Sequence, residues 1–327
     1  MSNCYLNGMM GLVVGDALGN PVQFMLRQDI KNRVGGPVTG MEAGGAYHTP
    51  IGAWTDDSSM AIATLASIKD CKAVNLDDIM MRFIDWLDNG EYTPEERAFD
   101  MGMTCSTAIN YYKNSGDAYN CGMTGEYANG NGALMRILPA CLYLLDLKAQ
   151  NKITLDDSID TIHKVAALTH NHMRSNMCCG IYYFMCDSIL AGQDKGLDLK
   201  TLLQEGINKA LTYYGLYEDP NVLEQMSYVK RLFYLDKFKE LEEDDIKSSG
   251  YVIDTIEAAV WSLITTDSYK DCMLKAVNLG DDADTVAAVA GGLAGLYYGY
   301  NGIPKEWLGV IIKRDKIEEI CKGMINS

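Results

Sequence analysis

Two short clusters of carboxylate and hydroxyl side chains stand far apart in the sequence, and each precedes an apolar segment. Residues 55–58 are Thr-Asp-Asp-Ser, and residues 280–285 are Gly-Asp-Asp-Ala-Asp-Thr. Carboxylates this close repel one another and raise each other's pKa values. A hard cation such as Mg²⁺ or Mn²⁺ takes oxygen ligands and would relieve that repulsion. Both clusters are therefore candidate halves of a metal site.

The helices that follow the clusters must position these side chains. Aspartate is unfavourable inside a helix but favourable at its N-terminus, so each cluster is predicted where a loop enters a buried helix. If the two helix ends converge, their oxygen atoms suffice for a centre of two divalent metal ions completed by water. The ligands would be Thr55, Asp56, Asp57, Asp282, Asp284 and Thr285. The alternative is that solvated aspartates cap two unrelated helices.

The composition is that of an acidic globular protein. Its 327 residues are 48% hydrophobic and 22% charged, and the formal net charge is −16. This charge argues against binding to nucleic acid or to an anionic membrane, which requires clustered lysine and arginine. The ten cysteines form no C-x-x-C pair, which predicts buried free thiols in a reducing cytoplasm. Neither a signal peptide nor a membrane span is indicated.

The distribution of apolar residues predicts an all-α fold, because no sustained apolar–polar alternation is bounded by hairpin turns. No linker of disordered composition interrupts the chain, and the two acidic clusters lie near its opposite ends. We therefore predict one domain over residues 1–327. Expected helices include 56–69, 133–138 and 220–241, with a further helix start at 93–96.

The first predicted helix, over residues 6–24, carries a stripe of glycines spaced by three or four residues. The stripe lies on one helical face and would allow another helix to approach closely. It consists of Gly8, Gly11, Gly15 and Gly19. Asp16 lies within the same apolar segment, where an unpaired carboxylate is costly. We expect Asp16 to make structural hydrogen bonds or, alternatively, to face the site.

Three further segments are candidates for the wall of the site. Residues 35–52 are rich in glycine, lack periodicity and lead into the first acidic cluster, which is typical of an active-site loop. Residues 129–132, Asn-Gly-Asn-Gly, precede a helix and either offer free backbone N–H groups to an anionic or sugar ligand or form an ordinary turn. His170 and His172 are two residues apart, which favours one histidine contacting a ligand over a chelating pair.

Six motifs, taken in order along the chain, resemble those of the ADP-ribosylglycohydrolase family, the group typified by dinitrogenase reductase-activating glycohydrolase. They are residues 15–19 (GDALG), 55–58 (TDDS), 100–102 (DMG), 130–136 (GNGALMR), 168–170 (LTH) and 280–285 (GDDADT). One such motif is weak, whereas six in order over most of the chain are specific. The resemblance implies a compact all-α fold with a cleft that holds two divalent ions, Mg²⁺ or Mn²⁺.

The same resemblance implies an activity and a set of site residues. Members of the family hydrolyse the N- or O-glycosidic bond between ADP-ribose and an arginine or serine side chain, or act on small ADP-ribosides. By position, the six oxygen-bearing residues named above are the metal ligands. Gly102, Gly130, Asn131 and His170 would line the ADP-ribose pocket. The expected partner is therefore an ADP-ribosylated protein or a small ADP-riboside.

Cleavage at the ribose C1 atom calls for a general base, and two residues are candidates. Asp57 or Asp100 could accept a proton from an attacking water. The family usually has a glutamate shortly after its Gly-Asp motif, but here that position is Gln23. An amide can coordinate a metal through its oxygen but cannot take a proton at neutral pH. Gln23 therefore leaves open a catalytically weak or silent protein that binds ADP-ribose or a nucleotide.

Overall fold

The computed structural model describes residues 3–192, 195–217 and 219–324, and within these ranges the chain is helical with isolated β-bridges and no strands. The prediction of an all-α fold is confirmed. The α-helices, in chain order, are α1 (Cys4–Gly19), α2 (Arg27–Asn32), α3 (Asp56–Cys71), α4 (Leu76–Asn89), α5 (Met103–Ser115), α6 (Leu138–Ala149), α7 (Leu155–Ala167), α8 (Met173–Gly192), α9 (Leu199–Gly215), α10 (Pro220–Met226), α11 (Leu235–Lys239), α12 (Val252–Ile264), α13 (Tyr269–Asn278), α14 (Ala283–Tyr298), α15 (Lys305–Leu308) and α16 (Arg314–Gly323).

Helices α1 and α14 form the centre of the fold and pack against each other along the glycine stripe. A Cβ atom on Gly11 would lie 2.2 Å from the Gly291 carbonyl oxygen, and one on Gly15 would lie 2.2 Å from that of Ala287. Glycine, which has no Cβ, permits such a close backbone approach. The predicted approach of a second helix is confirmed, and it places the start of α14 beside the end of α1.

The helix start predicted at residues 93–96 is wrong, because these residues form bends. Other side chains bind the backbone carbonyl oxygens that a helix beginning here would use. Trp54 Nε1 donates to the Tyr92 carbonyl oxygen at 3.2 Å, and Lys313 Nζ donates to that of Thr93 at 2.8 Å. Tertiary contacts thus override the local helix signal of this segment.

Two other predicted helices are interrupted. The segment over 220–241 divides into α10, a 3₁₀ helix over Ser227–Phe233 and α11. The Gln204 side chain binds both sides of the last break, donating to the Phe233 carbonyl oxygen at 3.1 Å and accepting from the Leu235 N–H at 2.8 Å. The segment over 133–138 is a short 3₁₀ helix, Leu134–Arg136, after which α6 begins with a proline in its first turn.

The thiols agree with the expectation from composition. Each of the ten cysteines carries a thiol rather than a disulfide, and all except Cys71 are buried. None of the helices in the described ranges combines the length and apolar character needed to cross a membrane.

Candidate active site

The first acidic cluster forms the N-terminus of α3 and is held in place by Asp16. Thr55 is the N-cap residue, and Asp56 and Asp57 lie in the first turn. The Asp16 carboxylate accepts hydrogen bonds from the backbone N–H groups of Thr55 and Ser58, each at 2.9 Å, and from the Ser58 hydroxyl at 2.5 Å. Burial raises the pKa of Asp16 to about 7, although these donors oppose the rise. The structural hydrogen-bonding role expected for Asp16 is confirmed.

The second cluster forms the N-terminus of α14 and is tied to two other segments. Asp282 is the N-cap residue, and Asp284 and Thr285 follow in the first turn. The Asp282 N–H donates to the carbonyl oxygen of Ser248 at 2.9 Å. The backbone of Asp281 makes two hydrogen bonds with residues 24 and 25, at 2.6 and 2.7 Å. These bonds anchor the loop before α14 to the segment directly after α1.

The two helix N-termini meet although they lie far apart in the sequence. Thr285 Oγ1 donates a hydrogen bond to Asp57 Oδ2 at 3.2 Å, and Thr55 Oγ1 donates to the same oxygen at 3.0 Å. Asp57 and Asp284 are each 1% exposed, and Asp56 is 7% exposed. Burial, reinforced by repulsion between neighbouring carboxylates, raises the pKa of all three aspartates well above the ordinary value.

Several buried oxygens of this cluster have no hydrogen-bond partner: Asp57 Oδ1 and both carboxylate oxygens of Asp284. Within the described ranges, no group of three or more His, Cys, Asp or Glu side chains is already arranged around a common metal position. The Thr55 and Thr285 hydroxyls bind Asp57 Oδ2, and Asn131 Nδ2 donates to Asp282 Oδ2 at 2.6 Å. The unpartnered oxygens and the all-oxygen donor set nevertheless fit hard divalent cations.

A cavity of about 430 Å³ adjoins the cluster. Among the residues predicted to form the site, those that line it are Asp56, Asp100, Gly102, Gly130, Asn131, His170, Asp282 and Thr285. Thr55, Asp57, Asp284 and Gln23 are buried and do not belong to the lining. The predicted residues thus form an outer set that faces the cavity and an inner set that is shielded from it.

Asp100, one of the two candidates for the general base, contacts the Gln23 amide. Asp100 has a left-handed backbone with a φ of 61°, and it accepts a hydrogen bond from the Tyr47 hydroxyl at 2.8 Å. Burial raises the pKa of Asp100, while the Tyr47 hydroxyl and the Gln23 amide oppose the rise. Gln23 is 2% exposed, and its Oε1 has no hydrogen-bond partner. Asp100 faces the cavity, whereas Asp57, the other candidate, does not.

The Asn-Gly-Asn-Gly loop places Asn131 against the second acidic cluster. The Asn131 amide donates to Asp282 Oδ2 at 2.6 Å and to Thr255 Oγ1 at 3.0 Å. Its backbone N–H donates to the Gly250 carbonyl oxygen at 3.0 Å, so of the two alternatives for this loop the structure does not leave this N–H free for a ligand. The reason is a long-range pairing, an isolated antiparallel bridge between this loop and the segment before α12, which local sequence does not reveal.

His170 is the histidine that lines the cavity. It is 2% exposed, and its Nδ1 lies 2.8 Å from the Thr169 hydroxyl. Burial, with the nearby Arg136 guanidinium, lowers the pKa of His170 to about 3, so the ring is neutral at pH 7. His172 lies outside the cavity lining, with its Nε2 3.9 Å from Glu126. The two histidines therefore do not form a chelating pair, in agreement with their spacing.

Comparison with known proteins decides the family. The family model described as ADP-ribosylglycohydrolase matches residues 3–327. The protein belongs to the ADP-ribosylglycohydrolase family. An ADP-ribosylarginine hydrolase of Serratia proteamaculans is 30% identical to it over 97% of this chain and 77% of its own length. An ADP-ribosyl-[dinitrogen reductase] glycohydrolase of Rhodospirillum rubrum is 31% identical over 93% of this chain and 88% of its own length.

The fold of this ADP-ribosylglycohydrolase agrees with the assignment. A solved structure, an ADP-ribosylglycohydrolase-related protein complex, matches with a TM-score of 0.75 at 27% identity, covering 99% of this chain and 98% of that chain. The resemblance carried by the six motifs is therefore confirmed. The chain is an enzyme of a family whose named members here are hydrolases of ADP-ribosyl bonds.

Two aromatic residues that line the cavity of the glycohydrolase were not predicted from the sequence. Tyr47 comes from the glycine-rich loop over 35–52, which places that loop in the cavity wall as expected. Phe24 directly follows Gln23. Position beside Gln23 is the available signal for Phe24, but in sequence neither aromatic differs from an ordinary core residue. Phe24 is exposed and Tyr47 half-buried, and both lie beside polar groups of the cavity wall.

Proposed function

We propose that this ADP-ribosylglycohydrolase hydrolyses the N-glycosidic bond between ADP-ribose and an arginine side chain of a modified protein. The observation that carries the proposal is the meeting of two acidic helix N-termini beside a cavity of about 430 Å³, with buried oxygens that lack partners. The name of the Serratia proteamaculans relative specifies ADP-ribosylarginine, which supports this choice of linkage. Small ADP-ribosides are the second substrate class to test.

The acidic cluster is proposed to hold two divalent ions, Mg²⁺ or Mn²⁺. Asp57 Oδ1 and the two carboxylate oxygens of Asp284 support this, because buried charged oxygens without partners are costly. The proposed ligands are Thr55, Asp56, Asp57, Asp282, Asp284 and Thr285. When bound, such ions hold sugar hydroxyls and lower the pKa of a water. The α3 and α14 helix dipoles add favourable potential for the carboxylates but cannot neutralise them.

Asp100 is the residue that we assign as general base. It lines the cavity, and its hydrogen bond to Tyr47 at 2.8 Å fixes the carboxylate in one orientation. Burial raises its pKa, which makes it a better proton acceptor than an exposed aspartate. In this role Asp100 accepts the proton that an attacking water loses as the ribose C1–N bond breaks. Asp57 is shielded from the cavity and is assigned to metal binding instead.

ADP-ribose is proposed to bind to the part of the cavity wall formed by Gly102, Gly130, Asn131 and His170. A neutral imidazole can donate from one nitrogen and accept at the other, which suits a sugar hydroxyl. Gly102 has open space where a Cβ would point, so a ligand can approach its backbone. Asn131 orients Asp282 through its 2.6 Å hydrogen bond and so couples this wall to the acidic cluster.

Gln23 supports a second candidate function, a protein that binds ADP-ribose but turns it over slowly or not at all. The amide is buried at a position beside Asp100, and it cannot accept a proton at neutral pH. If the reaction required a carboxylate at this position, the cluster would bind metal and ligand without rapid hydrolysis. This alternative predicts tight binding of ADP-ribose together with negligible turnover.

Product analysis separates the two functions. The protein is incubated with ADP-ribosyl-arginine, ADP-ribosyl-serine and small ADP-ribosides, each with Mg²⁺, with Mn²⁺ and with a chelator. We expect release of ADP-ribose from the arginine-linked substrate that depends on added metal. Equal release with chelator would contradict the metal-dependent mechanism, and no release from any substrate would favour the silent binder.

A further inference from the structure

Phe24 combines exposure with an unfavourable backbone conformation at the mouth of the cavity. Its side chain is 58% exposed and its φ is 67°, in the left-handed region that non-glycine residues rarely occupy. The Phe24 N–H donates to the Asp281 carbonyl oxygen at 2.6 Å, which holds the backbone in place. Strain of this kind persists where surrounding structure enforces it, and it is concentrated at ligand sites. The fold therefore fixes an apolar ring towards solvent.

The Phe24 ring is the outer member of a row of three aromatic rings. It meets Tyr47 edge-on, with centroids 6.4 Å apart, and Tyr47 in turn packs against Phe99 at 5.2 Å. The Tyr47 hydroxyl is bound to the Asp100 carboxylate at 2.8 Å. Through Tyr47, these contacts connect Phe24 to Asp100, the proposed general base. The exposed ring therefore lies at the acidic end of the cavity.

The charge of the cavity wall favours a cation beside this ring. Four carboxylates line the cavity, and within the described ranges no lysine or arginine belongs to its lining. Asp56 and Asp282 are among the proposed metal ligands, whereas Asp100 and Asp281 are not and keep their charge for a cation when metal is bound. An aromatic face attracts a guanidinium, and neighbouring carboxylates strengthen that attraction. An uncharged planar group would gain stacking here but nothing from the carboxylates.

We propose that Phe24 is a specificity-determining residue that receives the guanidinium group of an arginine-linked substrate on its ring, with Tyr47 bracing the ring from the side. The inference deepens the proposed function and rests on it, because the guanidinium is attached to the ribose C1 atom that must reach Asp100. Phe24 directly follows Gln23, which contacts Asp100. The adenine base lies beyond a diphosphate and a second ribose, and so reaches a more distant part of the wall.

The test compares an arginine-linked with a serine-linked substrate in the presence of Mg²⁺. The measured quantity is the ratio of kcat/KM for ADP-ribosyl-arginine to kcat/KM for ADP-ribosyl-serine. A cation–π contact is worth about 0.5–2 kcal/mol, so Phe24→Leu is expected to lower this ratio roughly 2- to 30-fold. Phe24→Tyr keeps an aromatic face and should restore most of the ratio. Tyr234→Leu, at a 67% exposed aromatic residue outside the cavity lining, is the matched control.

The outcomes separate failure of this inference from failure of the proposed function. An unchanged ratio in Phe24→Leu would overturn the inference while leaving arginine-linked hydrolysis intact. Equal losses of kcat/KM on both substrates, together with weaker calorimetric binding of ADP-ribose, would assign Phe24 to the adenine base of the ligand. That result would also overturn the inference. If the wild type hydrolyses neither substrate, the proposed function fails. In that case calorimetry tests the inference about Phe24. Phe24→Leu must weaken the binding of ADP-ribosyl-arginine more than the binding of ADP-ribose.

Discussion

Thr285 Oγ1 lies 3.2 Å from Asp57 Oδ2 and donates a hydrogen bond to it across 228 residues of sequence. This contact joins the first turn of α14 to the first turn of α3. Each helix begins with carboxylates, as the dipole and capping preferences of aspartate favour. The two helices do not compensate the carboxylate charge that they bring together. Asp57 Oδ1 and both Asp284 carboxylate oxygens are buried without hydrogen-bond partners.

Removing one buried carboxylate should reduce the stabilisation of the fold by metal. A ligand that binds only the folded state stabilises it by about 3 kcal/mol at a hundredfold excess over Kd. Wild-type Tm should therefore rise on adding Mg²⁺ or Mn²⁺ and fall with a chelator. Asp284→Asn relieves repulsion but removes a ligand, so its Tm in chelator should equal or exceed that of the wild type and should rise less with metal. Its hydrolysis of ADP-ribosyl-arginine should be lost.

The comparison is made by thermal melting followed by circular dichroism, which also checks that helicity is retained. Asp315→Asn, at a side chain 93% exposed, is the control and should respond to metal as the wild type does. Identical wild-type melting curves in chelator and in saturating metal would exclude a metal site built from these six residues.

His163 should make stability depend on pH in the mildly acidic range. Its Nε2 lies 2.8 Å from the Tyr214 hydroxyl, and burial lowers its pKa from 6.5 to about 4. Between these values the unfolded state binds more protons than the folded state, so the free energy of unfolding decreases as the pH falls. The loss approaches about 3 kcal/mol near pH 4, since each pKa unit corresponds to about 1.4 kcal/mol.

Urea unfolding at pH 7 and at pH 4.5 measures the contribution of His163 to the loss of stability on acidification. His163→Gln keeps a hydrogen-bonding partner for Tyr214 but does not titrate, so it should lose less stability on acidification than the wild type. His48→Gln, at an exposed histidine, is the matched control and should follow the wild type. An equal loss in the free energy of unfolding between pH 7 and pH 4.5 for wild type and His163→Gln would show that His163 does not contribute to the pH dependence of stability.

Two glycines of the same stripe should respond differently to alanine. A Cβ on Gly15 would lie 2.2 Å from the Ala287 backbone oxygen, whereas one on Gly8 would meet the end of the Leu296 side chain at 3.1 Å. Alanine gains about 1 kcal/mol of helix propensity over glycine, and a flexible side chain can move at little cost. Gly8→Ala should therefore be nearly neutral, while Gly15→Ala should lose roughly 1–3 kcal/mol or more by overpacking.

The readout for this pair is the urea midpoint together with Mn²⁺ affinity. Gly15→Ala pushes α14 away from α1, so it should also weaken metal binding through Asp284, which lies in the first turn of α14. If both alanine variants destabilise equally, close backbone contact is not the feature that the stripe provides.

The fold and the acidic site differ in how far the sequence could determine them. Helix periodicity, the glycine stripe and the two carboxylate clusters are local patterns, and all of them are present in the structure as expected. The helix start at 93–96 failed because Trp54 and Lys313 bind carbonyl oxygens from distant parts of the chain. The bond between Asn131 N–H and the Gly250 carbonyl oxygen was missed for the same reason. Contacts between remote segments leave no periodic signal.

The roles within the site show the same limit. From the sequence, Asp57 and Asp100 are equal candidates for the base, because both are carboxylates within the motifs, whereas the Gln23 amide cannot accept a proton. Burial separates the two candidates, since Asp100 faces the cavity and Asp57 does not. Phe24 was missed because its left-handed backbone depends on a hydrogen bond to Asp281, far along the chain.

Gln23→Glu should slow the enzyme or leave it unchanged if Asp100 is the general base. The Gln23 amide contacts Asp100 and opposes the rise in its pKa, whereas a glutamate would add a negative charge to a buried acidic centre. Asp100→Asn, in contrast, should lower kcat on ADP-ribosyl-arginine by about 10²–10⁴-fold, the usual worth of a general base. Both variants are assayed with saturating Mg²⁺ so that metal occupancy does not differ.

An increase in the rate of hydrolysis on Gln23→Glu would identify position 23 as the missing base. A glutamate there that accelerated hydrolysis by about 10²–10⁴-fold would mean that the wild-type protein lacks a proton acceptor that the reaction needs. The two cases change the rate in opposite directions. If Asp100 is the base, Gln23→Glu adds a negative charge beside it, whereas if no base is present, Gln23→Glu supplies one. We expect the wild type to be active, since Asp100 faces the cavity and is held by Tyr47. A wild type inactive on every ADP-ribosylated substrate, with an active Gln23→Glu, would establish the silent binder instead.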